Sequence, residues 1–138
     1  MSDLATQMEE QNRQKTIAAY ERLFAGDFDG FCADFDENIQ LFEPDALPYS
    51  GAYRGVEGAK KMIQAAMGTS EDFSFSVEQI AAAGDLVFIY VHMSGRAKKT
   101  GRTFSYPLVE MWRFRDGKVV EFRPFYWDTH QMREVYGV

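Results

Sequence analysis

The chain is poor in cysteine, histidine and proline, with one, two and four of them among 138 residues. Cys32 alone forms no internal disulfide, and neither a thiolate zinc cluster nor a redox pair can be built on it, a cysteine usage that suits the cytoplasm. His92 and His130 are too few for a His-rich metal site and leave a Ser-His-Asp triad little material. No apolar run approaches the ~18 residues of a membrane span, and Asp3, Glu9 and Glu10 break the basic-then-apolar layout of a signal segment. Positive charge is also short. Fifteen Lys and Arg against 21 Asp and Glu give a net charge of -6, which repels phosphate backbones, so neither nucleic acid nor membrane is an expected partner. Any chemistry falls to carboxylates, tyrosines or arginines, with no metal and no cofactor called for.

Aromatic residues are what the chain has in quantity: 12 Phe, 7 Tyr and 2 Trp, in a sequence that is 46% hydrophobic. With 11 Gly and 4 Pro, the composition is globular, and the length suits one domain over residues 1–138. From Leu4 to Ala25 there is neither Pro nor Gly, and Met8, Ile17, Tyr20, Leu23 and Phe24 fall largely on one face, which predicts a long amphipathic helix ending at Gly26. Asp27 caps a second helix predicted over Phe28 to Phe35. A short strand, Ile39 to Phe42, stops at Glu43-Pro44 and leads into a loop with Pro48, Gly51 and Gly55. A third helix is predicted over Val56 to Met67. Four β-rich runs follow, Phe73 to Ala82, Leu86 to Lys98, Arg102 to Arg115 and Lys118 to Trp127, parted by Gly84-Asp85, Thr100-Gly101 and Asp116-Gly117. They predict an antiparallel meander, and Asp128 to Tyr136 a short terminal helix. Helices first and a meander after is the order of an α+β domain, with helices laid on one face of a twisted sheet.

Two of the strands are apolar on both faces. Phe104, Tyr106, Leu108, Trp112 and Phe114 alternate with Pro107, Val109 and Met111, and Leu86, Phe88 and Tyr90 alternate with Val87, Ile89, Val91 and Met93. Short helices cover one face, and a second copy of the chain on the outer face is the simplest cover for the other, hence an expected homodimer.

Glu110 stands out because alternation puts it among Phe104, Tyr106, Leu108, Trp112 and Phe114. A buried carboxylate either finds a partner or keeps its proton, so its pKa rises, which suits a general acid or hydrogen-bond donor. Pairing with a buried arginine or tyrosine for the fold alone is the competing account. Glu43, at a strand end beside Pro44, is a candidate base at a pocket mouth, or else an exposed turn residue beside Asp45. His92 shares a face with Phe88 and Tyr90. Tyr20, Tyr53, Tyr106 and Tyr126 each carry a hydroxyl on an apolar body, suited to orienting a carbonyl. With Trp112 and His92 they make the set of candidate substrate contacts. Asp128 is a third candidate acid, with helix capping as its simpler role.

Several short motifs, in order and spacing, resemble the nuclear transport factor 2-like superfamily, above all its ketosteroid isomerase and SnoaL-like polyketide cyclase branches. They are Ala25-Gly26-Asp27-Phe28-Asp29-Gly30, Phe35-Asp36-Glu37-Asn38-Ile39, Ser50-Gly51-Ala52-Tyr53-Arg54-Gly55, Trp112-Arg113-Phe114-Arg115-Asp116-Gly117-Lys118-Val119 and Tyr126-Trp127-Asp128. The resemblance covers nearly the whole chain. It implies a cone-like, curved, mostly antiparallel sheet with three helices packed on its concave face over a deep apolar pocket, and a dimer through the outer face. In ketosteroid isomerase an aspartate base shuttles a proton while a tyrosine and a protonated aspartic acid stabilise the enolate. Carried over by position, the base falls on Glu43 and the protonated acid on Glu110, both one methylene longer than the family's aspartates. Counted without a gap, the family's tyrosine falls on Ala19, roughly 100° round the helix from Tyr20. Asp128 matches an acid common at the end of the last strand in SnoaL-like proteins. The expected function is cofactor-free acid-base catalysis (isomerase, cyclase or dehydratase) on a small apolar carbonyl compound. A non-catalytic module of the same fold, binding a small ligand or a protein, is the alternative.

Overall fold

A computed structural model describes residues 3–138. Asp3 caps helix α1 (Leu4–Phe24), its carboxylate accepting from the Thr6 amide at 2.8 Å. The buried stripe of α1 is Asn12, Thr16, Ala19 and Tyr20, set at helical spacing against the sheet, whereas Met8 is exposed and Phe24 lies 54% open. Asp27 caps α2 (Phe28–Phe31) by accepting from the Gly30 amide. This helix is a single turn and stops short of the predicted Phe35, because the chain turns at Cys32 and Phe35 already opens strand β1 (Phe35–Glu43). Strand β2 (Gly51–Arg54) occupies what reads as loop in the sequence. Four residues carry too little pattern to announce a strand, and it forms by pairing antiparallel with β1, Glu43 opposite Gly51. Helix α3 (Gly55–Gly68) follows, then β3 (Ser70–Ala83), β4 (Leu86–Ala97), β5 (Thr103–Arg115), β6 (Lys118–Tyr126) and α4 (Thr129–Tyr136).

The six strands form one sheet in the order β2-β1-β6-β5-β4-β3. The meander β3 to β6 is antiparallel as predicted, and β1 joins β6 in parallel. At the β5–β6 turn, Asp116 and Gly117 both have positive φ, 51° and 78°, the primed-turn geometry that their sequence favours. Register shifts interrupt β3–β4 twice, β5–β6 once and β1–β6 once. Each such irregularity bends a strand and adds twist, so the sheet curls instead of lying flat. The result is a curved, unclosed, mostly antiparallel α+β sheet under helices, as the sequence leads one to expect, with α4 as a fourth helix.

Alternation is obeyed along the concave side. In β4 Val87, Ile89, Val91 and Met93 are buried, and in β5 Phe104, Tyr106, Leu108, Glu110, Trp112 and Phe114 are. Phe88 and Tyr90 take the outer side. Trp112, 1% exposed, is the hub of the inner side, with ring centroids 5.5 Å from Tyr20, 5.7 Å from Phe31 and 5.4 Å from Phe35. It therefore ties α1 and α2 to the sheet, beside Phe35 of β1, and sets where Tyr20 stands. Trp112→Ala is expected to cost about 3–5 kcal/mol, from lost burial plus the cavity left behind, read as a lowered urea midpoint at unchanged m-value.

Candidate functional site

Between the curved sheet and helices α1 to α3 lies a cavity of about 250 Å³. Its walls are apolar almost throughout: Phe31, Phe35 and Phe122 deep inside, the half-buried Phe75 from β3, Ala59, Met62 and Ile63 from α3, and Leu41 and Met93 from the sheet. Phe24, Phe28 and Met67 line it while remaining exposed at 54%, 37% and 47%, and so form its mouth. Three polar side chains face this space, Tyr20, Glu43 and Glu110.

Glu110 reaches the cavity because β5 alternates through it, and it is 8% exposed. The Tyr20 hydroxyl, projecting from α1, donates a hydrogen bond to Glu110 Oε1. Burial pushes the Glu110 carboxyl up to about 7, and the Tyr20 hydrogen bond works against that rise. Tyr20 is itself held well above the ordinary tyrosine range, by burial first and then by the Glu110 charge. Tyr20, and not Ala19, is thus the residue of α1 that meets the acid. Glu43 reaches the same cavity because β1 alternates Ile39, Leu41, Glu43 inward and β2 covers the strand end. It is 8% exposed, unlike a turn glutamate. Tyr126 donates to Glu43 Oε2 at 2.9 Å. Burial lifts Glu43 to about 8, with the Tyr126 hydrogen bond opposing and the Glu110 charge adding to the rise.

The other sequence candidates stand elsewhere. His92 is on the outer face of the sheet, its Nε2 at 2.6 Å from Ser105 Oγ, because the period of two that puts Val91 and Met93 inside puts His92 outside. The exposed Asp128 caps α4, accepting from the Gln131 amide at 3.0 Å, and is not among the cavity residues. Tyr53 donates to the carbonyl of Tyr49 at 3.0 Å and pins the β1–β2 loop. Tyr106 stacks on Phe104 at 5.2 Å and Trp112 packs behind Tyr20, both in the core beside the cavity. Tyr126 touches Glu43 from behind. Tyr49 is the residue that sequence reasoning passes over: 3% exposed, it donates to Tyr126 at 3.2 Å. Leu47 and Tyr49 are both buried on either side of Pro48, an alternation present in the sequence but masked by the surrounding turn residues.

Both carboxyls hold protons more tightly folded than unfolded. For an acid raised in this way, the native state binds the extra proton between the unfolded and folded pKa values, so stability is full below about 4.5 and falls as pH rises toward 7 and 8. Unfolding free energy is expected to drop by on the order of a few kcal/mol between pH 5 and 8. Glu43→Gln and Glu110→Gln should each flatten part of that slope in denaturant titrations across pH.

Residues 17–122 match the SnoaL-like domain family. Among solved structures, an NTF2-like protein from Burkholderia thailandensis E264 shares 25% identity and a TM-score of 0.81, over 90% of this chain and 95% of that one. TerC, co-crystallised with polyporic acid, shares 18% identity with a TM-score of 0.78 over 93% and 99%. A candidate SnoaL-like polyketide cyclase from Jannaschia sp. CCS1 shares 18% identity with a TM-score of 0.75 over 94% of each chain. Among curated proteins none matches this sequence. At such identities the last two speak for the fold alone, a fold that serves small-molecule binding and catalysis alike. With the family model matched over most of its length and the curved sheet closed by helices over one cavity, the chain belongs to the SnoaL-like domain family of the nuclear transport factor 2-like superfamily.

Proposed function

We propose that this chain is a cofactor-free acid-base enzyme, an isomerase, cyclase or dehydratase, acting on a small apolar carbonyl compound. The observation that carries the reading is that Glu43 and Glu110, both buried and each bonded to a tyrosine hydroxyl, face one apolar cavity. In this reading the Glu43 carboxylate removes a proton from the carbon next to the substrate carbonyl. Glu110, protonated, donates a hydrogen bond to the oxygen as it becomes an enolate, with Tyr20 bonded to its other oxygen. Return of the proton from Glu43 to a different carbon of the conjugated system gives the isomer and restores both acids. The aromatic walls supply flat apolar contact for such a compound. A second reading, a non-catalytic binder, has in its favour the scarcity of polar groups in the cavity. The single cysteine, Cys32, supports a cytoplasmic location.

The outer face of the sheet supports a homodimer. Phe88, Tyr90 and Phe125 are 38%, 47% and 53% exposed, and Tyr90, Val109 and Phe125 lie side by side across β4, β5 and β6. A second copy of this face would cover that stripe.

Two measurements test these proposals. Exchange of the α-hydrogen of apolar ketones with deuterium from solvent should be catalysed, and Glu43→Gln or Glu110→Gln should each lower kcat/KM by about 10²–10⁴. With Glu43 raised to about 8 and Glu110 to about 7, the form with Glu43 ionised and Glu110 protonated is the minority arrangement of the pair, and kcat/KM is expected to be bell-shaped, rising up to about pH 7 and falling above about pH 8. No exchange by the wild type, with a phenolic enolate mimic failing to bind, sinks the enzyme reading. Sedimentation should give twice 15.8 kDa, and Tyr90→Glu should halve it; a wild-type monomer at micromolar concentration contradicts the dimer.

A further inference from the structure

Glu43 is held by more than one hydroxyl. Tyr126, the last residue of β6, donates to Glu43 Oε2 at 2.9 Å, and Tyr49 donates to Tyr126 Oη at 3.2 Å. Both O–H bonds run in the same sense, toward the carboxyl. Tyr49 lies in the loop between β1 and β2, and neither it nor Tyr126 lines the cavity. The row is built in. Tyr49 packs edge-on against Tyr136 of α4 at 5.9 Å, its backbone oxygen accepts from Tyr53 at 3.0 Å, and Tyr106 of β5 sits 6.3 Å from the Tyr126 ring. No lysine or arginine pairs with Glu43 among the described residues. The titratable groups facing it are Tyr126 from β6 and Glu110 from β5, with Tyr49, Tyr106 and Tyr136 behind Tyr126. Of these, Glu110 opposes an anion at Glu43, so the stabilising interactions come from the tyrosines. A carboxylate at the end of two aligned hydroxyls gains from both, since the second polarises the first.

We propose that Tyr126 and Tyr49 form a two-hydroxyl row that stabilises the anionic form of Glu43 from behind the cavity wall, against the effect of burial, which makes them positioning residues for the base. The proposal rests on the reading that Glu43 takes the substrate's proton. It assigns a role to the β1–β2 loop and the end of β6, which otherwise only close the fold at that edge.

The test is a carboxyl titration of full-length protein carrying ¹³C-labelled glutamate, with Glu43→Gln used to assign the resonance. Tyr126→Phe removes one oxygen and keeps the ring, and should raise the Glu43 midpoint by about one pH unit or more. Tyr49→Phe should raise it by less. Tyr136→Phe, which removes a hydroxyl from the same cluster outside the row, should leave it in place. An unchanged midpoint in folded Tyr126→Phe overturns the proposal, as does an equal shift in Tyr136→Phe. Should Tyr126→Phe not fold, Tyr49→Phe decides, a rise supporting the proposal and no rise overturning it. A raised midpoint in Tyr126→Phe, while Glu43→Gln keeps full exchange activity, supports the row's effect on ionisation and removes Glu43 as the base. An unchanged midpoint with Glu43→Gln inactive does the reverse.

Discussion

A carboxylate taken from water into an apolar cavity loses several kcal/mol of hydration unless it is paired or keeps its proton, and this chain accepts that cost twice, at Glu43 and Glu110. Neither has a cation beside it among the described residues. Each has a tyrosine hydroxyl instead, which stabilises the anion in part and leaves the pKa raised. A guanidinium in place of either hydroxyl would hold its carboxyl ionised at neutral pH, and a greasy wall without the hydroxyl would hold it protonated. Phenols set the intermediate condition, in which a proton can be held or released near neutrality. Tyr20 and Tyr126 stand where they do because helices and strands are fixed around them, and much of the rest of the structure serves that placement.

The sheet's curvature is the second part of the same arrangement. Bulges in β3–β4, β5–β6 and β1–β6 curl the strands so that Glu43 at the end of β1 and Glu110 in the middle of β5 look into one space, although β6 lies between their strands. On a flat sheet the same alternation would send both carboxyls up in parallel with no shared volume. Helix α1 then lies across the concavity with Tyr20 inward, held by Trp112, whose ring also meets Phe31 and Phe35. The aromatic surplus of the sequence is spent on this lining and on the outer stripe of Phe88, Tyr90 and Phe125.

Much of the fold was legible because its signals are local and periodic. The Asp116-Gly117 turn, the Asp27 and Asp128 caps and the alternation through β5 all depend on neighbours in the chain, and each appears where the pattern puts it. Glu110 was legible for the same reason: a charge on an apolar face breaks a visible rule. Strand β2 and the first half of β1 were not, since four residues such as Gly51–Arg54 become a strand only by docking on a partner. Glu43 was half legible, its alternation with Ile39 and Leu41 readable but its burial depending on that unseen strand. His92 shows the limit of alternation, which assigns a residue to a face without saying which face is the inner one.

Period, capping and turn chemistry, all properties of residues a few positions apart, determine the α+β order, the meander and the anomaly at Glu110. Tertiary structure alone decides which side of the sheet is concave, that Tyr20 meets Glu110 where Ala19 was the position counted to, and that Tyr126 and Tyr49 line up behind Glu43. Those hydrogen bonds join residues 90, 83 and 77 positions apart. Contacts at such separations depend on how bulged strands curl and where helices cross them, and no local pattern carries that geometry.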